Sequence, residues 1–311
     1  MSSDPNLRCS VVAQELNEPP LGTAGGAERY LLIELPLPWP KKIDEHELLA
    51  DVRLASLPKG SVSILGIRST DVSRVRSHRV ICYERRRPFT GFDRSELVLD
   101  SDQLAPTVQS LIEAGPATLA NDQLLSVEAG TEDLLLCTHG SRDRCCGQLG
   151  TNLHVELEQS VPSNVRLWRA SHLGGHRFAP TGLHFPTGTV WAHLTAEVTK
   201  AIISRSVEPA SISSKFRGNV GIDGRPEQIA DGLAFFGVGW DWLAAERTIK
   251  AVDGQPGEVE VSVASPEFET RIIMETTDPI PVPKCGEGTE TATKFTPQHV
   301  VIDTAQLTPP D

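Results

Sequence analysis

The chain has 311 residues, and its 29 Lys and Arg face 41 Asp and Glu, which gives a formal net charge of -12 at pH 7. Such a charge repels nucleic acid and anionic lipid, so we expect neither as a partner. Apolar residues make up 39% of the chain, which is enough for a hydrophobic core. Neither residues 1–17 nor the longest apolar run, Tyr30–Trp39, has the composition of a signal peptide or a membrane span. We therefore expect a cytoplasmic protein.

The N-terminal part of the chain predicts a lead-in followed by a first folded unit. Residues 1–27 are rich in turn formers and predict an extended lead-in. Residues 28–120 predict an α/β unit, because their apolar residues recur at both strand and helix spacing. The predicted elements of this unit are strands over 30–35, 61–67 and 78–83 and helices over 44–57 and 101–114.

Residues 130–206 predict a second unit, in a thioredoxin-like order of strand, helix, strand, hairpin and helix. Its first strand, over 131–136, delivers Cys137 at its end. The later elements are predicted over 146–159, 165–170, 181–185, 190–194 and 194–202. Residues 207–311 predict a smaller α/β extension, with a helix over 226–236 and strands over 258–264, 268–277 and 299–302. The whole chain therefore predicts an α/β protein with a mixed sheet, with α+β as the alternative.

Two cysteines and two histidines stand out against this background. Cys137 and Cys146 are separated by eight residues, and His172 and His176 by three. Two thiolates and two imidazoles suit zinc or an iron–sulfur cluster and suit hard cations poorly. Gly174 and Gly175, two of the three residues between His172 and His176, disfavour a helix, so we expect the histidines on a tight loop.

The stretches around these four residues resemble the sucrase/ferredoxin-like family, which includes thioredoxin-like [2Fe–2S] ferredoxins. The resemblance rests on CTHGSRDRCCG, which contains both cysteines, and on SHLGGHRFA, which contains both histidines, and it covers about residues 130–206. Pro180 departs from the asparagine that relatives commonly have. The resemblance implies that a [2Fe–2S] cluster binds to Cys137, Cys146, His172 and His176.

Two alternatives remain open from the residues alone. Structural zinc would accept the same four donors in a closed tetrahedral site. A thiol-dependent redox enzyme would use Cys145 or Cys146 beside His139, since vicinal cysteines near a helix start can be redox active. Whether the chain is an enzyme stays uncertain, and no role is assigned to the remaining cysteines, Cys9, Cys82 and Cys285.

The function that we expect is electron transfer to or from a redox partner protein, either a reductase or an acceptor enzyme. A homo-oligomer is compatible with the sequence. Electron transfer needs a centre close to the surface, so we expect His172 and His176 to form its exposed side. Bound imidazoles keep a second nitrogen that can titrate, so proton uptake can accompany reduction.

Overall fold

The computed structural model describes residues 8–53, 58, 60–69, 77–253, 257–276, 280–284, 288–292 and 295–302. Within these ranges the chain forms five α-helices: α1 Cys9–Glu15, α2 Ser101–Ala114, α3 Thr151–Leu157, α4 Ala196–Ser204 and α5 Arg225–Val238. The strands of the same ranges are β1 Arg29–Glu34, β2 Val62–Arg68, β3 Ser77–Arg85, β4 Phe92–Asp100, β5 Glu132–Cys137, β6 Val165–Ala170, β7 Gly182–Phe185, β8 Thr189–Trp191, β9 Phe216–Asn219, β10 Thr248–Asp253, β11 Glu258–Ser265, β12 Phe268–Thr276, β13 Ile280–Lys284, β14 Gly288–Ala292 and β15 Phe295–Ile302.

A mixed sheet of nine strands forms the centre of the protein, in the order β4-β3-β1-β2-β6-β5-β7-β8-β9. The α/β class predicted from the sequence is confirmed, and so is the order of strand, helix, strand, hairpin and helix between β5 and α4. A smaller antiparallel sheet, β10-β11-β12-β15, and a β13–β14 pair follow in the C-terminal part.

The nine-stranded sheet contains the same strand arrangement twice. In each half the first two strands are parallel, β1 with β2 and β5 with β6. The third strand is antiparallel to the first, and the fourth is antiparallel to the third. The halves join where β2 pairs with β6 in antiparallel register, Ile67 opposite Ala170. Hydrogen bonding is therefore continuous between the predicted 28–120 and 130–206 units.

The structure corrects the helix predicted over 44–57. Two single 3-10 turns, Ile43–Glu45 and Glu47–Leu49, occupy its first part, while residues 54–57 lie outside the described ranges. Nδ1 of His46 accepts the backbone N–H of Leu48 at 3.2 Å. Such a local side-chain bond offers the backbone an alternative to a continuous helix.

Helix α1 and strands β4, β9, β10, β13 and β14 have no counterpart among the predicted elements. Helix α1 lies in the segment that we expected to be extended, and its Cys9 and Ala13, one helical turn apart, are both buried. Strand β4 pairs along its whole length with β3. For α1 and β4, tertiary packing stabilises an element whose local signal is weak.

Apolar cores on both faces of the sheet hold β5 and β6 in place. On one face Leu134 and Leu136 of β5 belong to a cluster that includes residues of α3, α4 and α5. On the other face Leu135 belongs to a cluster with Trp168 of β6. Among the described residues, no helix is both long and apolar enough to cross a membrane.

A buried carboxylate ties the start of β5 to β6. Asp133 is fully buried, and Arg166 donates to both of its carboxylate oxygens at 2.7 Å. The indole Nε1 of Trp168 donates to the same carboxylate at 2.6 Å. A buried charge is tolerated when it is paired and hydrogen bonded in this way. The two strands that lead into the cysteine and histidine loops are therefore rigidly connected.

Candidate metal centre

The cysteine loop begins where β5 ends, at Cys137, and returns through a π-helical turn, Cys146–Gly150, into α3. Asp143 caps this turn, since its Oδ1 accepts the backbone N–H of Cys145 at 2.9 Å and of Cys146 at 3.2 Å. The turn lies directly against the end of β5. A Cβ atom added at Gly150 would lie 1.9 Å from the carbonyl oxygen of Cys137, so only glycine fits there.

The histidine loop follows β6, as predicted from its glycines. Gly174 and Gly175 both have positive φ, 76° and 64°, which glycine adopts without strain. The loop ends in a 3-10 turn, His176–Phe178. Neither histidine lies on an α-helix, so the expected tight loop is present.

His139, in the cysteine loop, bonds to the backbone of the histidine loop. Its ring nitrogens are not among the donor atoms that converge on Cys137, Cys146 and His172. Its Nδ1 accepts the backbone N–H of His172 at 3.1 Å, and its Nε2 lies 2.8 Å from the carbonyl oxygen of Pro40, to which it therefore donates. Burial lowers the pKa of His139, which favours the neutral ring that this arrangement requires. Its geometry is that of a residue that orients the backbone of a proposed ligand.

Three of the four predicted donors converge. The sulfur atoms of Cys137 and Cys146 and a ring nitrogen of His172 all lie within 4.8 Å of one another. Both cysteines are fully buried. Their mutual hydrogen bond lowers the pKa of Cys137 well below its usual value and raises the pKa of Cys146. Of the two thiols, Cys137 is therefore the one that loses its proton more readily.

Nδ1 of His172 supports binding of a metal at this point. It is buried, and among the described residues no hydrogen-bond partner faces it. Leaving a buried polar atom unpaired costs about 1–3 kcal/mol, so such atoms call for an explanation. Two cysteine sulfurs and an unsatisfied imidazole nitrogen are a donor set that fits zinc or an iron–sulfur cluster.

The fourth predicted donor, His176, lies next to this group and has other neighbours. Its ring centre is 6.4 Å from that of His172. Its Nδ1 lies 3.0 Å from the sulfur of Cys9 and 3.5 Å from Oδ2 of Asp143. Cys9 and Asp143 were not predicted at this centre. Asp143 could have been identified as a capping residue three positions before Cys146, whereas Cys9 has no such signal in the sequence.

Burial differs between the two kinds of donor. Cys137 and Cys146 have no exposed surface, while His172 and His176 are both partly exposed. His172 also borders a cavity of about 320 Å³ lined mainly by apolar side chains. His172 and His176 are therefore the more accessible of the four predicted donors.

A buried cation supports the histidine loop. Arg217 on β9 is 2% exposed, and its guanidinium donates to the carbonyl oxygens of Gly174 at 3.1 Å and Thr23 at 2.6 Å. The guanidinium lies so close to Gly175 that a Cβ there would be 2.4 Å from its Nη2. Burial lowers the pKa of Arg217 to about 10, so it remains charged at neutral pH. The loop between the histidines is thus held by a fixed positive charge.

Cys9 and Cys145 pack in one buried cluster with Cys137 and Cys146 but are not part of the group that converges on His172. Cys145 is buried, and its sulfur lies 3.9 Å from that of Cys9. Cys82 is buried in the N-terminal core, and this burial raises the pKa of its thiol to about 12. Cys285 lies outside the described residues.

Comparison with known proteins gives a match to a family and one protein that is similar over part of the chain. The family described as sucrase/ferredoxin-like matches residues 20–218. A protein of Meyerozyma guilliermondii named altered inheritance of mitochondria protein 32 is 31% identical over 112 residues, which is 32% of this chain and 40% of that protein. The chain thus spans well under half of the length of that relative. No solved structure matches significantly.

Proposed function

This chain belongs to the sucrase/ferredoxin-like family, and we propose that it is an electron-transfer protein with a [2Fe–2S] cluster on Cys137, Cys146, His172 and His176. When bound, such a cluster supplies a one-electron redox couple. The observation that carries the proposal is the convergence of the two buried sulfurs on the ring of His172, whose buried Nδ1 has no partner among the described residues.

The protein's own residues would set the electrostatics of the centre. Neutral imidazoles in place of two thiolates leave the centre less negative, which favours a higher reduction potential, in the direction of the Rieske range. The fixed charge of Arg217 acts in the same direction, because a positive charge favours the state with the extra electron. Burial of Cys137 and Cys146 keeps water away from the thiolate side.

Electrons would enter and leave on the histidine side. His172 and His176 are the exposed members of the donor set, so a partner can approach them. The net charge of -12 suits a redox partner protein, a reductase or an acceptor enzyme, with a basic docking patch. A cytoplasmic location remains part of this proposal.

The two alternatives differ in how well the site suits them. A structural zinc ion would also be chemically acceptable on the same four donors. Metal analysis of the purified protein distinguishes this alternative from an iron–sulfur cluster. A thiol-dependent enzyme using Cys145 or Cys146 needs an accessible thiolate. Both thiols are buried, and the hydrogen bond with Cys137 raises the pKa of Cys146. The site therefore favours metal binding over thiol catalysis.

Proton-coupled redox chemistry gives an electrochemical test. If His172 and His176 bind iron through one nitrogen each, the other nitrogen is free to titrate. An added electron favours protonation, so the reduction potential should fall as pH rises between the histidine pKa values of the oxidised and reduced states. We expect protein-film voltammetry at a series of pH values to show this decrease in the reduction potential.

A double His172→Cys and His176→Cys variant is the matched comparison. It should have a lower potential and a flatter pH dependence, because thiolates add negative charge and remove the titrating nitrogen. A wild-type potential that stays constant from acid to strongly alkaline pH, with the cluster intact, would contradict proton coupling at these histidines.

A further inference from the structure

Nδ1 of His176 lies among side chains that do not belong to the three converging donors. It is 3.0 Å from the sulfur of Cys9 and 3.5 Å from Oδ2 of Asp143. We propose that Asp143 is a positioning residue, whose carboxylate keeps the proton of the neutral His176 ring on Nδ1 and so leaves Nε2 for the cluster. This role rests on the proposed function, and the location of the proton is also tested in the absence of metal.

The backbone of the cysteine loop fixes the carboxylate of Asp143. Its Oδ1 accepts the backbone N–H of Cys145 at 2.9 Å and that of Cys146 at 3.2 Å. These two bonds hold the carboxylate with its Oδ2 beside the ring of His176. The side chain of Asp143 is only 7% exposed, so water competes little for its second oxygen. A carboxylate oxygen fixed in this way can set the orientation of a neighbouring ligand.

The chemistry of a carboxylate determines which nitrogen of His176 carries the proton. An ionised carboxylate only accepts hydrogen bonds, and a neutral imidazole has one N–H and one bare nitrogen. A bare Nδ1 would place its lone pair against the lone pairs of Oδ2 of Asp143, whereas an N–H at Nδ1 is attracted to them. At 3.5 Å the contact is long for a hydrogen bond, but a buried negative charge still attracts an N–H group over this distance. The proton of the neutral ring therefore lies on Nδ1.

Cys9 is compatible with this tautomer but does not select it. A thiol is both a weak donor and a weak acceptor, so it suits a protonated or a bare Nδ1. Helix α1 holds Cys9 in place, since Nε2 of Gln14 on the same helix donates to Nδ1 of His193 at 2.8 Å. Cys9 is 1% exposed, so it also shields this side of the His176 ring from water. The carboxylate is the stronger acceptor because it is charged, and it therefore decides where the proton lies.

Asp143 thereby connects proposed ligands from both loops. Its Oδ1 bonds to the backbone of Cys146, and its Oδ2 faces the ring of His176. Metal-bound histidines commonly donate their other ring N–H to a carboxylate, and the loss of such a partner costs roughly 10–100-fold in metal affinity. With Nε2 as the ligand, the second nitrogen of His176 keeps its proton, as the proposed function requires.

The tautomer of His176 in the metal-free, full-length chain is the first test. Two-bond ¹H–¹⁵N correlation spectra distinguish a proton on Nδ1 from a proton on Nε2, and the signal that His176→Gln removes identifies the ring. The wild-type ring should carry its proton on Nδ1. Asp143→Asn should move the proton to Nε2, because the amide N–H₂ donates to Nδ1 while the amide oxygen keeps the bonds to the backbone. Glu158→Gln is the matched control and should change nothing at His176, since Glu158 pairs with a different histidine, 3.2 Å from Nδ1 of His154. A wild-type His176 ring protonated on Nε2 would overturn the proposal.

Iron retention in the loaded protein is the second test, and it applies even if the metal-free chain does not fold. Asp143→Ser keeps a capping oxygen but has no second oxygen beside His176, whereas Asp143→Asn keeps the cap and opposes the required tautomer. Loss of iron to a chelator should therefore be fastest for Asp143→Asn, slower for Asp143→Ser and slowest for wild type and Glu158→Gln.

The reduction potential adds a measurement that a purely structural role would not change. Any cluster that Asp143→Asn or Asp143→Ser retains should have a higher potential than the wild type, because a negative charge beside a proposed ligand is lost. Equal rates of iron loss in all four proteins would show that Asp143 acts only as a cap, and would overturn the proposal. A wild-type chain without iron would instead contradict the proposed function, and the tautomer in the metal-free chain would then decide the role of Asp143.

Discussion

Serine in place of Cys137 or Cys146 is expected to remove nearly all iron and labile sulfide from the purified protein. Each substitution replaces a thiolate, which bonds strongly to iron, by a hydroxyl that stays protonated at neutral pH. Both sulfurs lie in the converging group with His172. The measurement is iron and sulfide per chain, together with the visible absorption of the cluster.

Controls separate loss of a ligand from loss of a buried thiol. Cys82→Ser changes a cysteine that is equally buried, in the core around β1, β3 and α2, and should keep the cluster. Cys145→Ser should also retain most of it, since Cys145 does not belong to the group of Cys137, Cys146 and His172. Equal loss of iron from Cys145→Ser would move the ligand assignment by one residue.

Alanine in place of Gly150 is expected to disrupt the centre without touching a donor. The new Cβ would lie 1.9 Å from the carbonyl oxygen of Cys137, and backbone on both sides would have to move. Overpacking of this kind costs roughly 1–3 kcal/mol, and the displaced residue is itself a proposed ligand. We expect a lower free energy of unfolding in urea and a lower cluster content.

Gly237→Ala is the matched control for this substitution. Gly237 lies near the end of α5, and no atom lies within 4 Å of the position its Cβ would take. Alanine is favoured over glycine in a helix by about 0.5–1 kcal/mol, so this variant should be as stable as wild type or more so. A Gly150→Ala protein with wild-type stability and full iron content would show that the cysteine turn is not closely packed against β5.

The sequence predicted most of the second half of the sheet because its signals are local. The apolar run that ends at Cys137, the helix after Cys146 and the hairpin around Pro186 depend on neighbouring residues. The helix predicted over 44–57 was wrong in its described part because one histidine side chain bonds to the local backbone. The spacing of apolar residues in a sequence does not reveal a hydrogen bond of this kind.

The environment of His176 could not be predicted from the sequence. Cys9 precedes Cys145 by 136 positions, and only the docking of α1 brings them together. Arg217 likewise reaches the histidine loop from β9, at the edge of the nine-stranded sheet. Contacts between distant segments depend on the register of the whole sheet, which a single sequence does not specify.

Metal and sulfide analysis of the wild-type protein tests the central claim most directly. Purified after expression with ample iron, the chain should be reddish-brown and contain about two irons and two labile sulfides, as a [2Fe–2S] cluster requires. After reduction with dithionite it should give the electron paramagnetic resonance signal of one unpaired electron per chain. Colourless protein with zinc at the Cys137 and Cys146 pair, and neither iron nor sulfide, would contradict the electron-transfer function.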